Sequence, residues 1–463
     1  MSSLHKICMA AALILGSATV WVTPGKAVTE SVKYTFCSVA ACADGSEAEF
    51  PLLRQGNKYY GTAQGGGANG SGGVVFRYNS NNGNYAVLYS FCTTTSGPVC
   101  TDGKEPAGPL IMDTSGNLYG TTEFGGANDS GTVFELVKPA SGPWTIKTLY
   151  NFCASTSGSL CLDGLRPVAG VSYVGNGSSL YDGSSILYGT TLEGGNDPFT
   201  MLSGNGVAYA LRPPMTSGLW QEKVIHPFCA NCGDGCTSCS DGSAPAYNFV
   251  VDASANIWGT TTGGGSNAKG TAWELTPGAD PWNDPWTETI LYNFCWANGA
   301  KCPDGWVPNG VTMDATGHLF GTTFEGGGGP AAFGSGIAFK LSNGSCTEGG
   351  TATFWCESVL HSFCPSSGCS DGQFPNAYAI LDGSGNFYGT ASGGGTAHNG
   401  GNVWDYNTGT STYSTVYNFC PTTGCSDGAE PITGVILDGS GDLWGVTLAG
   451  GTPNLGVLFE VVP

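Results

Sequence analysis

Carboxylates are the side chains of this sequence that are best suited to chemistry, and seven of them recur at one spacing. Each is the aspartate of a Cys-x-Asp-Gly motif that follows a Phe-Cys pair by a few residues. The seven are Asp44, Asp102, Asp163, Asp241, Asp304, Asp371 and Asp427. Ligand binding competes here with a structural role, because Asp-Gly also makes a tight turn. Repetition favours the structural role, since one active site needs its residues only once.

Glycine-rich loops supply a second set of acids, Glu123, Glu193 and Glu325. Both sets of loops are predicted to emerge on one face, together with four aromatic residues. These are Trp296, Trp306, Phe124 and Phe324. Aromatic rings beside carboxylates suit sugar binding, and a pair of carboxylates can cleave a glycosidic bond. The sequence therefore predicts a glycan-binding or glycan-cleaving face, unless these residues only shape the loops.

Histidines and metal motifs add little to this prediction. His226 and His361 precede Phe-Cys pairs and His318 replaces a turn asparagine, so repeat position explains all three. His398 lies in a glycine-rich loop and is the one histidine that we would test for catalysis. The sequence has no His-Glu-x-x-His motif and no dense set of ligands, so we expect no metal and no cofactor. Calcium is compatible with the acidic composition but is not indicated by it.

The 19 cysteines form a third pattern. Apart from Cys8, in an apolar N-terminal segment, they predict nine disulfides in an oxidising compartment. Eight predicted pairs are Cys37–Cys42, Cys92–Cys100, Cys153–Cys161, Cys229–Cys239, Cys295–Cys302, Cys346–Cys356, Cys364–Cys369 and Cys420–Cys425. The ninth is Cys232–Cys236, with an alternative in which these two and Cys229 and Cys239 bind zinc or an iron–sulfur cluster. The disulfide interpretation is favoured because Cys229 and Cys239 occupy the paired positions of every other repeat.

Strands must position these residues. Between successive Phe-Cys pairs lies an aromatic-Gly-Thr marker, which recurs seven times with one degenerate copy, Trp444-Gly445-Val446. The clearest repeat predicts four antiparallel strands at residues 109–113, 117–122, 132–136 and 145–152, separated by turns. Seven such units predict an all-β, seven-bladed β-propeller of four-stranded blades.

The two chain ends support a closed ring. Residues 32–37 match only the fourth strand of a unit, and residues 457–461 match only the third. The last unit thus lacks the strand with which the chain begins. We therefore expect the N-terminal strand to pair with the last blade and to close the propeller.

The repeat itself is distinctive. A Gly-Asn-Leu-Tyr-Gly-Thr-Thr stretch at residues 116–122 precedes Gly-Gly at 125–126 and Gly-Thr-Val-Phe at 131–134, with weaker copies along nearly all of residues 28–463. In this it resembles the GloVer tandem-repeat family of bacterial exported proteins. The resemblance implies export and a repeated β fold, and it brings no agreed activity. Members often end in a surface anchor, whereas this chain ends at Val462-Pro463, which favours free secretion or periplasmic residence.

Charge and the N-terminus narrow the class of partner. Residues 1–27 combine Lys6, an apolar stretch and Gly-Lys-Ala at 25–27, which predicts a cleaved signal peptide before a single propeller domain at 28–463. With 15 basic and 35 acidic residues, a net charge of −20, we expect no nucleic-acid partner. No later segment is apolar for long enough to insert in a membrane. We expect a secreted or periplasmic monomer.

These observations lead to three hypotheses of function. The leading one is a non-enzymatic extracellular binding or surface-interaction protein for a glycan or another protein, because the sequence contains no nucleophile–base–acid set. The alternative is a polysaccharide hydrolase or lyase that uses Glu123, Glu193 or Glu325 with His398. The third is a purely structural exported protein.

Overall fold

The computed structural model describes residues 28–195, 204–214, 218–229, 239–296, 301–329, 334–348, 351–376, 378–395 and 398–463. Within these ranges the chain forms seven four-stranded antiparallel sheets in a ring, with one short 3₁₀ turn at Ala40–Cys42 and no α-helix. The predicted seven-bladed β-propeller is confirmed. The predicted signal peptide, residues 1–27, lies outside the described residues.

Each blade runs from an innermost strand beside the central channel to an outermost strand. Blade 1 contains Leu53–Gln55, Lys58–Ala63, Val74–Asn79 and Asn84–Ser90. Blade 2 contains Lys104–Met112, Leu118–Phe124, Thr132–Val137 and Thr145–Asn151. Blade 3 contains Val171–Ser172, Leu187–Thr190, Val207–Arg212 and Gln221–Pro227. Blade 4 contains Val250–Val251, Ile257–Thr261, Thr271–Thr276 and Thr287–Asn293. Blade 5 contains Trp306–Met313, Leu319–Glu325, Ile337–Glu348 and Thr351–Ser362. Blade 6 contains a divided inner strand, Gln373–Pro375 and Ile380–Leu381, then Asn386–Gly393, Asn402–Asn407 and Thr412–Asn418. Two small hairpins, Thr95–Ser96 with Val99–Cys100 and Thr156–Ser157 with Leu160–Cys161, lie between blades.

Blade 7 closes the ring as predicted. It combines Ile436–Leu437, Leu443–Val446 and Val457–Val462 with the N-terminal strand Thr29–Thr35. Thr29 pairs with Val462 and Thr35 with Val457, so the first and last described strands are antiparallel neighbours. This pairing leaves no unpaired outer edge on the last blade's third strand.

Aromatic residues fill the junctions between blades. The phenylalanine of each Phe-Cys pair is at most 1% exposed, and it packs on an aromatic ring of the third strand in the next blade. Phe91 and Phe134 illustrate the contact, with ring centroids 5.4 Å apart. The aromatic-Gly-Thr marker has the same cause, because a Cβ on Gly120 would come within 2.8 Å of the Phe134 ring. Burying one such ring contributes about 2 kcal/mol, and the motif repeats because every junction needs it.

Eight of the nine predicted disulfides are confirmed, seven of them in the loops that join successive blades. The eight are Cys37–Cys42, Cys92–Cys100, Cys153–Cys161, Cys229–Cys239, Cys295–Cys302, Cys346–Cys356, Cys364–Cys369 and Cys420–Cys425. Cys232 and Cys236 lie outside the described residues. The Cys229–Cys239 bond leaves no free thiolate at those two positions of the alternative four-cysteine site. So many disulfides fit an extracellular or periplasmic protein.

The described residues contain no helix with the length and hydropathy needed to cross a lipid bilayer.

Candidate functional site

The seven repeated aspartates hold the loops between blades. At Asp102, one carboxylate oxygen accepts hydrogen bonds from the Tyr89 hydroxyl at 2.7 Å and the Thr93 amide at 2.9 Å. Asp163 repeats this arrangement with Tyr150 and the loop amide of residue 154. All but Asp371, which is partly exposed, are buried. At Asp102 and Asp163 the carboxylate thus holds the protein's own loop, and we do not include the repeated aspartates in the candidate site.

The residue three positions after each aspartate turns the chain toward the channel. Its backbone is left-handed in all seven blades, at Glu47, Glu105, Arg166, Ala244, Val307, Phe374 and Glu430, with φ between 54° and 59°. Its amide bonds to the preceding blade, as in Arg166 N to Ser130 O at 3.0 Å. Proline follows in six blades and fixes the next φ. This turn, which the motif spacing did not predict, places the residue after the proline against the channel.

Those residues form a ring around the loop-face end of the channel. The seven equivalent positions are Glu49, Ala107, Val168, Ala246, Asn309, Asn376 and Ile432. All except Ala107 line a cavity of about 390 Å³, which we call the axial pocket. Its other lining residues are Phe50, Gln64, Glu123, Tyr247 and Tyr378. The axial pocket thus collects side chains from around the whole ring.

Glu49 is the one acid among the seven ring positions. It is partly buried, and burial together with the carboxylates of Glu47, Glu123 and Glu105 raises its pKa from 4.5 to about 7. A carboxyl group with this pKa can give or take a proton near neutral pH. Sequence reasoning missed Glu49, although aligning the seven repeats would have shown a lone glutamate at this position.

Three aromatic residues narrow the channel below the ring. Phe50 and Tyr247 share one position of the repeat, where blades 2, 3, 5 and 7 have glycine, alanine, glycine and threonine, and Tyr378 lies one residue farther along in blade 6. Phe50 and Tyr378 meet edge to face, with centroids 6.5 Å apart. Burial raises the pKa of both tyrosines, so their hydroxyls stay neutral. The Tyr378 hydroxyl is buried and has no hydrogen-bond partner among the described residues, which leaves a donor available to a ligand.

Tyr378 also lines a second cavity, of about 530 Å³, farther along the innermost strands. The backbone of Tyr378 is left-handed, with φ 64°, which divides the inner strand of blade 6 into two pieces.

Asn309 and Asn376 tie the ring together, because their side-chain amides donate to the Pro375 and Pro431 carbonyls at 2.8 and 3.0 Å. The pocket walls are therefore fixed by bonds between blades.

Two of the predicted glutamates come together at the rim of the axial pocket. Arg166 bonds to Glu123 and to Glu193, and its guanidinium lies 5.3 Å from the Phe124 ring centroid. Glu123 lines the pocket, while Glu193 lies on the far side of Arg166. This arginine bridge could not be predicted from spacing, because Glu123 and Glu193 belong to successive blades and Arg166 lies in the loop that joins them.

The remaining predicted residues lie elsewhere on the described part of the chain. Glu325 pairs across the sheet with Trp306, whose ring lies under the Lys269 ammonium. Phe324 stacks on Phe374, with centroids 5.1 Å apart. Trp296 is 37% exposed in a loop between blades. His398 is exposed, and its Nε2 lies 3.3 Å from the Thr423 hydroxyl. The lining of the axial pocket does not include any of them.

Comparison with known proteins identifies the repeat. Residues 21–183 and 175–459 match the Gloeobacter/Verrucomicrobia repeat. No curated protein matches the chain. Among solved structures, the chain is similar to polysaccharide lyase Uly1, at 10% identity and a TM-score of 0.48, covering 93% of this chain and 92% of that one.

Two further structures show a similar level of likeness. A protein of unknown function from Dyadobacter fermentans has 11% identity and a TM-score of 0.40, covering 95% of this chain and 99% of that one. A nidogen/laminin complex has 14% identity and a TM-score of 0.37, covering 74% of this chain and 90% of that one. At these values the three structures carry no argument about function.

Proposed function

This chain belongs to the Gloeobacter/Verrucomicrobia repeat family, and we propose that its propeller is an extracytoplasmic binding protein that holds a sugar unit of a glycan in the axial pocket. One observation carries the proposal: the unrepeated polar and aromatic residues of the inner strands converge on one cavity. Residues that only build blades recur in every blade. Glu49, Phe50, Tyr247 and Tyr378 do not recur, and they meet in the axial pocket.

The shape and chemistry of the pocket favour a glycan over a protein partner. Its volume of about 390 Å³ is within the range of small-molecule sites, about 300–1,000 Å³. The Phe50 and Tyr247 rings can pack on the apolar face of a sugar, while the Tyr378 hydroxyl can donate to a ring hydroxyl. The Glu49 carboxyl disfavours an anionic ligand, whereas the charge of Glu123 is already paired with Arg166, so the proposed ligand is a neutral or amino sugar.

A glycan array with residues 28–463 tests the proposal. We expect saturable binding to neutral or amino glycans, and Tyr247→Ala to weaken it about tenfold or more through loss of ring contact. Trp296→Ala is the matched control, because it removes an exposed aromatic ring outside the pocket. An equal loss in both variants would place binding on the outer loops, and binding to none of the array would remove the proposal.

A second candidate, cleavage of a glycosidic bond, is favoured by the pKa of Glu49. A carboxyl group with a pKa near 7 can protonate a leaving oxygen, and Glu123 supplies a second carboxylate at the same pocket. If this is correct, product release from a bound glycan stops in Glu49→Gln while binding persists. Product release by Glu49→Gln at the rate of the unmodified protein would contradict it.

A further inference from the structure

Three ionisable side chains meet near the rim of the propeller, between blades 3 and 4. They are His226 from the outermost strand of blade 3, Asp241 from the joining loop and Glu288 from the outermost strand of blade 4. His226 Nε2 lies 3.5 Å from Glu288 Oε1 and 3.9 Å from Asp241 Oδ2. These distances exceed those of good hydrogen bonds, about 2.7–3.2 Å.

Two of the three groups are buried without the bonds they require. The side chains of His226 and Glu288 are only 13% and 10% exposed. His226 Nε2 and Glu288 Oε1 have no hydrogen-bond partner among the described residues. Buried polar atoms are nearly always bonded. Glu222 Oε1 also lacks a partner at the equivalent position of blade 3, so it is His226 Nε2, which faces both carboxylates, that points to a group in the space between them.

The other blade junctions show how this position is normally satisfied. Where His226 stands, most blades have a tyrosine that donates directly to the loop aspartate, as Tyr150 does to Asp163 at 2.7 Å. His361 is the other histidine, and its Nε2 lies 2.8 Å from Asp371. Its junction has no glutamate at the position of Glu288, where Tyr413 stacks on the imidazole at 3.7 Å. Among the described junctions, the one between blades 3 and 4 combines histidine, aspartate and glutamate.

We propose that His226, Asp241 and Glu288 bind a divalent transition-metal ion, with Zn²⁺ as the probe. The three ligand atoms lie within 4.8 Å of one another. Bonds of about 2.0–2.2 Å at tetrahedral angles place donor atoms about 3.4 Å apart, close to the 3.5 Å between His226 and Glu288. One imidazole and two carboxylates, with water in the fourth position, form a set of nitrogen and oxygen donors that zinc accepts.

The electrostatics of the cluster agree with a cation. Burial lowers the pKa of His226 to about 4, so the imidazole is neutral at pH 7 and can coordinate a metal. Burial and the charge of Asp241 raise the pKa of Glu288 to about 8, which is the expected state of two adjacent carboxyls without a counter-ion. A bound cation would stabilise both as carboxylates and would join the outermost strands of two blades.

Metal content of the tag-free mature protein tests the site. After incubation with Zn²⁺ and removal of excess metal, we expect one zinc per chain and a rise in melting temperature that a chelator reverses. His226→Tyr and Glu288→Tyr should each abolish both effects. Both variants are expected to fold, because they install residues that other blades have at these positions: Tyr150 and Tyr413.

His361→Tyr is the matched control, since it changes the equivalent histidine of the junction without a glutamate, and it should keep the zinc. Circular dichroism and size-exclusion chromatography check that each variant retains the fold. The proposal is overturned if the unmodified protein holds no zinc, or if His226→Tyr and Glu288→Tyr retain one zinc per chain with the original affinity.

Discussion

The propeller should lose stability as pH rises from 5 to above 8, and Glu222 gives the sharpest test. It lies in the outermost strand of blade 3, and its Oε1 is buried with no hydrogen-bond partner among the described residues. Asp163, held by the Tyr150 hydroxyl at 2.7 Å, faces it across the junction. Burial first, and then the charge of Asp163, raise the pKa of Glu222 from 4.5 to about 8.

The sign and size of the effect follow from linkage. The folded protein holds a proton on Glu222 at pH values where the unfolded chain has released it. The stability that the Glu222 proton contributes is therefore fully present below pH 4.5 and is lost as pH rises through about 8. Each pH unit between these values is worth about 1.4 kcal/mol, so this one carboxyl group lowers the free energy of unfolding by about 5 kcal/mol across the range.

Urea denaturation of Glu222→Gln at pH 5, 7 and 8.5, with the disulfides intact, measures this effect. We expect the variant to match the unmodified protein within about 1 kcal/mol at pH 5 and to be more stable by several kcal/mol at pH 8.5. Glu222→Ile is the matched control, because Ile146 occupies the same position in blade 2. A difference between variant and unmodified protein that stays constant with pH would refute a protonated Glu222 in the folded state.

Two further predictions concern the loops and the closure of the ring. Asp102→Ala should destabilise the protein by about 3 kcal/mol in urea denaturation, because the Tyr89 hydroxyl and the Thr93 amide lose their acceptor. Asp129→Asn, at an exposed carboxylate, is the control and should change stability by less than about 0.5 kcal/mol. Removal of residues 28–35 from the chain 28–463 should expose the edge of Val457–Val462 and cause oligomers in light scattering at concentrations where residues 28–463 have one fixed mass. An unchanged mass would contradict the closure.

The blades and their disulfides could be predicted from the sequence because the same packing requirement recurs at every junction between blades. At each junction two aromatic rings pack together and one of them lies against a glycine, as Phe91, Phe134 and Gly120 show. The same residue types therefore recur in every repeat. The predicted second strand of blade 2, 117–122, is close to the observed Leu118–Phe124, whereas the first strand, predicted at 109–113, begins earlier, at Lys104, and ends at Met112. The short cysteine spacings likewise left few possible partners.

The axial pocket could not be predicted in the same way. Most of the innermost strands are brief, with two residues at Val250–Val251, and a left-handed residue such as Arg166 decides which side chain turns inward. Alternation along a strand cannot reveal that turn. The prediction concentrated on loop glutamates, of which Glu123 lines the pocket and Glu325 does not. The lone acid Glu49 becomes visible only when the repeats are aligned and the exception is sought.

The pairing of the first and last strands has a mechanical consequence. Thr29 lies opposite Val462, so a pulling force applied at both chain ends acts on the same end of that antiparallel pair. Such a force breaks the hydrogen-bonded residue pairs of the two strands one after another, and does not load all of them at once in shear. Once blade 7 has parted, the remaining blades can extend in turn, while disulfides such as Cys92–Cys100 and Cys153–Cys161 keep short loops from lengthening. The propeller thus resists a pulling force least when that force separates its first strand from its last strand.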